Sequence, residues 1–254
     1  AALFKRVFGS PYDFGEAIRE MTPLMLTGLA VAFAFRSGLF NIGADGQVMI
    51  GMTAATVVGI KFAGLPMFIL VPLSVIAAGL FGGLYAGIAG YLKAKRGINE
   101  VITTIMLNWI ALFLSNYIIR TFLLLPGQNR SEDIPASLSM TFLNSLFDNA
   151  RVHWGTIIAL GAATFFYIFL WKTKQGYEMR AVGLNPHAAE YAGMNVGRNV
   201  IKAMFISGVF AGLAGAGEVL GVFHYQSVFA ASPGYGFDGI AVALLGLTHP
   251  LGVI

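Results

Sequence analysis

Apolar runs separated by short polar or glycine-rich breaks cover most of this 254-residue chain. Residues 1–20 are mixed in character, with Ser10-Pro11-Tyr12-Asp13 reading as a turn, and are expected to lie along a membrane surface. From about Met21 to Phe35 the pattern predicts an apolar helix, short for a full crossing, that stops at Arg36-Ser37-Gly38. The polar stretch Phe40-Asn41-Ile42-Gly43-Ala44-Asp45-Gly46-Gln47 follows, then a second apolar segment from about Val48 to Ile60. Two short apolar segments around such a break predict a discontinuous helix whose freed backbone groups line a path. Further spans are predicted at about Pro66–Tyr91, kinked by Pro72, and at Ile98–Ile119. Two more fall at His153–Trp171, with a Trp near each end, and at Ala203–Phe223. A last apolar run starts at about Ile240.

Composition supports this pattern. The chain is 57% hydrophobic and only 11% charged, where a soluble domain carries about 25% charge. Several runs reach the ~20 residues that cross a bilayer as a helix. The predicted fold is therefore all-α: a polytopic membrane bundle, one domain over residues 1–254, with a discontinuous helix and a cytoplasmic helix between spans. Both ends of the sequence stop inside a pattern, so a fragment lacking its terminal spans is expected. Gly83/Gly87 and Gly208/Gly212 have the GxxxG spacing that brings membrane helices close. With no cysteine, disulfides, thiol catalysis and Cys-ligated metals are excluded.

Charge sets the orientation. Alternating spans put Lys93, Lys95 and Arg96 on the same side as Lys172, Lys174, Arg180, Arg198 and Lys202. The opposite side holds Lys61, Arg120, Arg130 and Arg151. The richer side is cytoplasmic by the positive-inside rule, so residues 120–152 face outward. The net charge of +4 is spread over loops, which points to topology control and not to nucleic acid.

The loop 172–202 carries the first candidate chemistry. Asn185 can cap the amides of a helical first turn, Pro186 suits the first helical position, and Gly193 suits a left-handed stop. Small Ala188, Ala189 and Ala192, with Tyr191 as an aromatic anchor, would let this helix of barely two turns dock in a groove. An ordinary basic loop that merely fixes topology is the alternative. Glu100, Thr104 and Asn108 lie at i, i+4 and i+8 on one helical face. They read either as a line facing a neutral polar solute or as interhelical hydrogen bonding. Glu218 sits in a span rich in Gly and Ala, where a carboxylate costs about 2.5–3.5 kcal/mol and so pairs or acts. Asp45 and Asp238 fall in glycine-rich stretches, as path residues or helix caps. The motif Gly43-Ala-Asp-Gly46 is echoed by Gly236-Phe-Asp-Gly239, which fits either a duplicated half or chance.

Several patterns are decoys. Gly234 to Gly239 spells GxGxxG without the βαβ unit that a dinucleotide needs. No lysine follows a glycine, so the P-loop is absent and this chain does not hydrolyse ATP itself. His187 and Glu190 are two possible ligands without a third, so no metal site is predicted. No catalytic constellation can be assembled, and the chain reads as a transport subunit and not an enzyme.

Four segments carry a resemblance. Gly183-Leu-Asn-Pro-His-Ala-Ala-Glu-Tyr-Ala-Gly-Met-Asn-Val196 resembles the coupling-helix loop of permease subunits of ABC importers for nucleosides, simple sugars and branched-chain amino acids. Residues 40–47, 99–109 and 232–246 resemble the nucleoside-type members. The likeness runs from about Ser10 to the end. It implies that Gly183, Asn185, Pro186, Ala188, Ala189, Tyr191, Ala192 and Gly193 transmit closure of a cytoplasmic ATPase, with Asn41, Asp45, Gln47, Thr104, Asn108, Glu218 and Asp238 as pathway candidates. The implied partners are the ATPase, which binds the ATP, a second and non-identical permease, an extracytoplasmic solute-binding protein, a small polar solute and the lipid of a prokaryotic cytoplasmic membrane. No cofactor is expected in this chain. A simple sugar or branched-chain amino acid as cargo, an ion-coupled secondary transporter and an intramembrane enzyme are the alternatives.

Overall fold

Ser10 caps the first helix: its hydroxyl oxygen accepts the amide of Asp13 at 3.1 Å, and Pro11 occupies the first turn. The computed structural model describes residues 9–140, 147–148 and 150–254. Helix α1 runs Pro11–Arg36, so residues 11–20 do not lie along the surface but extend the short span expected from Met21. Their polar groups are matched by the outer loop. Glu16 accepts from the Arg151 amide at 2.9 Å and pairs with its guanidinium at 3.0 Å, and Thr22 bonds Thr156 at 2.7 Å. At 1.5 Å per residue, 26 residues span about 39 Å, enough for a crossing. The remainder of the surface expectation, residues 1–8, lies outside the described residues.

The other helices follow in order: α2 Ala44–Lys61, α3 Met67–Arg96, α4 Glu100–Leu123, α5 Gly155–Lys172, α6 Lys174–Leu184, α7 Pro186–Tyr191, α8 Val196–Phe223, α9 Tyr235–Leu245 and α10 Pro250–Val253. Five of them, α1, α3, α4, α5 and α8, are long and apolar enough to cross a membrane. Helix α2 is buried among its neighbours for most of its length. Among the described residues the only β-pairings are isolated bridges, and the bundle is all-α as the pattern predicts. Boundaries shift by several residues: α8 begins at Val196, not Ala203, α9 at Tyr235, not Ile240, and α2 at Ala44, not Val48, while α3 runs on to Arg96 past Tyr91.

Glycines decide how α8 packs. A Cβ at Gly208 would stand 2.4 Å from the Gly82 carbonyl oxygen, and one at Gly212 2.2 Å from that of Ala78. Across α8, a Cβ at Gly51 would meet the Gly212 carbonyl oxygen at 2.5 Å. Helices α2 and α3 therefore both touch the α8 backbone, which dispersion rewards in a lipid solvent. The α3 contact differs from the expected one: Gly82 and Gly83 face α8, while Gly87 has open space.

Orientation agrees with span parity. A surface hollow is lined by Ala94 and Lys95 together with Asn195, Gly197, Arg198 and Lys202, so the basic turn and the 172–202 loop share one end. Arg36 joins them there, donating to the carbonyls of Leu247 and Thr248 at 2.9 and 3.1 Å. At the opposite end α4 and α8 both finish in a widened π-helical turn, Ile119–Leu123 and Glu218–Phe223. The widened α8 turn leaves the Leu220 carbonyl free for the Leu138 amide at 2.8 Å, and the His224 carbonyl accepts from Ile134 at 2.7 Å. The outer loop is sewn to α8 by its backbone.

Candidate solute path and docking helix

The chain leaves α1 through Ser37 and Gly38, whose φ of +73° only glycine takes without strain. It then crosses the break 39–43 before α2 begins. Polar side chains hold that break. The Asn41 amide nitrogen donates to Gln47 Oε1 at 2.9 Å and to Ser207 Oγ at 2.8 Å, and Gln47 returns a bond to Asn41 Oδ1 at 3.0 Å. Asn108 of α4 accepts from the Gly46 amide at 2.8 Å and donates to the Ile42 carbonyl at 3.0 Å. Thr104 bonds backward to the Glu100 carbonyl at 2.7 Å, and Glu100 itself pairs with Lys93 at 2.5 Å. Asn41, Asp45, Gln47, Thr104 and Asn108 are thus brought together, and each is buried.

Asp45 is not in the break but in the first turn of α2. Its carboxylate accepts from the amides of Gly236 at 2.9 Å and Gly234 at 3.4 Å, so it caps α9 from outside. Those are amides of the GxGxxG sequence, and a carboxylate of the same chain occupies the anion site that a helix N-terminus offers. The two echoed glycine motifs therefore touch. Above them, the extended segment 224–234 descends into the bundle, held by Asn116, which exchanges two bonds with Phe229 at 2.8 and 3.0 Å, and by Gln226 on Thr53 at 3.0 Å.

Asp238 lies in the first turn of α9 and not in a break; its amide donates to the Gly234 carbonyl at 3.1 Å, while its exposed carboxylate makes no hydrogen bond among the described residues. The neighbouring Gly239 packs on Thr27, where a Cβ would stand 2.5 Å from the hydroxyl oxygen. Thr27 stands about 13 Å along α1 from Arg36 by helical rise, so Asp238 lies that far in from the basic end of the bundle. Beside it a hollow of ≈ 80 Å³ lies between α4 and α9, lined by Ile105, Asn108, Trp109, Leu112, Ser232 and Phe237. The Ser232 hydroxyl is buried there with no partner among the described residues. Glu218 does not join this group: it lies in the widened turn near the outer end of α8 and accepts from the Tyr235 hydroxyl at 2.9 Å.

At the basic end the loop holds one more helix than expected. Helix α6 starts at Thr173, whose hydroxyl caps Gly176 at 3.1 Å. Helix α7 follows as the loop sequence predicts: Asn185 Oδ1 accepts from Ala188 at 3.0 Å, Pro186 opens the first turn, and Gly193 takes φ +78°. Gly193 donates to Glu190 at 2.9 Å and Met194 to Ala189 at 3.0 Å, the paired closure of a Schellman stop. Ala189 packs inward, whereas Asn185, Pro186, Ala188, Tyr191, Ala192 and Gly193 are exposed, Tyr191 to 96%. Gly183 instead faces the bundle, against Ser37 and Gly38. No cluster of His, Asp or Glu able to hold a metal occurs among the described residues.

Sequence reasoning passes over Ser207, Ser232, Tyr235, Phe237 and Asn116. The last was within reach, because Asn116 lies two four-residue steps beyond Asn108, past Leu112, on the line of Glu100, Thr104 and Asn108. The others lie in stretches where a single hydroxyl or ring carries no periodic signal.

The expected discontinuous helix is instead two helices, α1 and α2, running in opposite directions. A bundle with five helices long and apolar enough to cross a membrane and an exposed, capped helix at its basic end is the architecture of a multi-pass membrane transport subunit. Residues 15–254 match the family described as branched-chain amino acid transport system / permease component, and the chain belongs to that family. The guanosine ABC transporter permease protein NupP of Bacillus subtilis is 51% identical, covering 100% of this chain and 73% of the relative. The nucleoside ABC transporter permease protein NupB of Lactococcus lactis is 40% identical, covering 99% and 71%. A second guanosine permease of Bacillus subtilis, NupQ, is 29% identical, covering 91% and 74%. No solved structure matches the chain significantly.

Proposed function

We propose that this chain is the permease subunit of an ABC importer that moves nucleosides across the cytoplasmic membrane of a prokaryote. The observation that carries this reading is the 51% identity to a guanosine permease over the whole chain. ATP is bound by a separate ATPase, which docks on α7. The exposure of Tyr191 and its neighbours supports that role, since a capped polar helix presenting an aromatic ring to water is unpaired in this chain alone. A second, non-identical permease completes the pathway. Both NupP and NupQ carry the guanosine name in one bacterium, and this chain is similar to both. A solute-binding protein delivers cargo at the outer end.

The solute path runs over the α4/α9 face. An ionised side chain facing lipid deep in a bilayer is costly, so the exposed Asp238 faces water, solute or the second permease. Beside it, Phe237 and Trp109 offer rings to a base, and Ser232 and Asp238 offer acceptors to sugar hydroxyls. Base stacking on an aromatic ring is worth about 1–3 kcal/mol. Asn41, Asp45, Gln47 and Asn108 serve the path indirectly, by holding the break that shapes it.

Proteoliposomes carrying the chain with its ATPase and second permease test the reading. Uptake of radiolabelled nucleoside is expected to need ATP and the binding protein. Uptake that follows a proton gradient and ignores ATP would overturn it, and a sugar taken up in place of nucleoside would move the cargo. Asp238→Asn is expected to lower nucleoside uptake by about tenfold, as loss of a hydrogen bond to a charged group does.

A further inference from the structure

The break 39–43 is attached through the residues on either side of it, Gly38 and Asp45, by contacts that leave no slack. At its start, a Cβ on Gly38 would stand 2.4 Å from the Gly183 Cα, and one on Gly183 2.5 Å from the Ser37 carbonyl carbon. The two backbones touch directly. Gly183 lies in the last turn of α6, and Asn185 two residues later caps α7. At its end, the fully buried Asp45 holds the amides of Gly234 and Gly236, and a Cβ on Gly236 would stand 2.1 Å from the Asp45 amide nitrogen. Helix α9, which bears Asp238, begins there. Between these contacts the Asn41–Gln47 pair and Ser207 keep the break in one shape.

Close-packed backbone contacts transmit displacement, because no side chain can rotate to absorb it. We propose that Asp45 is a positioning residue of the transport cycle. A movement of α7 passes through Gly183 and Gly38 into the break, and the Asp45 carboxylate draws the first turn of α9, and Asp238 with it, in the same direction. Asp45 itself does not meet the solute. The inference rests on α7 as the ATPase-docking helix and adds a route from that helix to the path.

The absence of native cysteine makes the test direct. Leu84→Cys on α3 and Leu244→Cys on α9, both exposed, are spin-labelled before assembly with the partner subunits in proteoliposomes. Pulsed EPR then reads the α3–α9 distance with and without ATP and vanadate. The unaltered Asp45 chain is expected to show a distance shift on trapping. Asp45→Asn, which keeps the size and one acceptor oxygen, is expected to lose most of that shift, and nucleoside uptake per ATP hydrolysed falls by at least about fivefold, the lower end of coupling factors. Gly183→Ala, which wedges the other contact, is expected to do the same with Asp45 intact. A full shift and unchanged uptake per ATP in Asp45→Asn overturn the proposal, as does a proportional fall of hydrolysis and uptake with a lowered melting temperature. Absence of ATP-driven uptake before any substitution overturns the importer reading itself. ATP-driven uptake with no α9 shift overturns the route alone.

Discussion

His153 shows how one side chain can set the acid limit of the molecule. Its ring lies wholly buried against Gly155 and Gly221, where added Cβ atoms would stand 2.5 Å from it. Nδ1 accepts the Gly155 amide at 3.1 Å, and Nε2 has no partner among the described residues. Burial, with Arg19 and His224 nearby, pushes its pKa down to about 4 from 6.5. The folded protein therefore keeps the ring neutral while the unfolded chain protonates below about 6.5. Stability present above that pH is lost as pH falls from about 6.5 to about 4, by up to about 3 kcal/mol. Thermal unfolding in detergent should show this loss, and His153→Gln should flatten it; an equal acid slope in both proteins would remove the assignment. At this scale the sequence reveals which positions are polar but not what satisfies them. Asn108 is legible as a polar residue that needs a partner. Its bonds to Ile42 and Gly46 join residues far apart in the chain, and no local pattern encodes that. Asp45 was readable as a path residue or a cap, and only the fold brings the α9 amides to it.

Among the elements, α7 was legible because its caps are local: Asn185, Pro186 and Gly193 each act within a few residues. Helix α6 was not. Its buried residues Gly176, Met179 and Val182 form a stripe only three positions long, drowned by Lys174, Gln175, Glu178 and Arg180, residues of the kind a loop also carries. Glycine spacing predicted close packing but misplaced the register on α3, since Gly82, Gly83 and Gly87 are equally plausible until α8 is set against them. Gly212→Leu should be severe, because the Ala78 carbonyl oxygen stands 2.2 Å from the first added atom. Overpacking of this kind costs about 1–3 kcal/mol or more, and detergent-extracted yield and melting temperature should both fall. Gly87→Ala, with open space around it, should leave both unchanged. Asn185→Ala should weaken the α7 cap by about 1 kcal/mol and speed amide exchange at Ala188.

For the molecule as a whole, alternation of spans and the bias of Lys and Arg were enough to place the two basic connections side by side, as the shared hollow of Lys95 and Arg198 shows. What stayed hidden was the descent of residues 224–234 into the bundle, because an extended segment matched by Asn116 and Gln226 has no hydrophobic period. Tyr191→Ala and Gly193→Pro test the coupling of the assembly. The first removes the projecting ring, and the second puts a φ near −65° where the chain needs +78°. Both should insert normally and leave the partner ATPase hydrolysing ATP with little nucleoside uptake; wild-type uptake in both would remove α7 from the docking role.

The widened turn at the end of α8 has a consequence for where the transport motion takes place. By surrendering the Leu220 carbonyl to Leu138, it ties residues 131–138 of the outer connection to the outer end of α8 and the segment after it. Amide exchange at Ser131, Ile134 and Leu138 should then be among the slowest outside the spanning helices. An outer end tied in this way would leave the hinge of the proposed cycle to the opposite end, near Gly38, as a purse held at its rim opens from below.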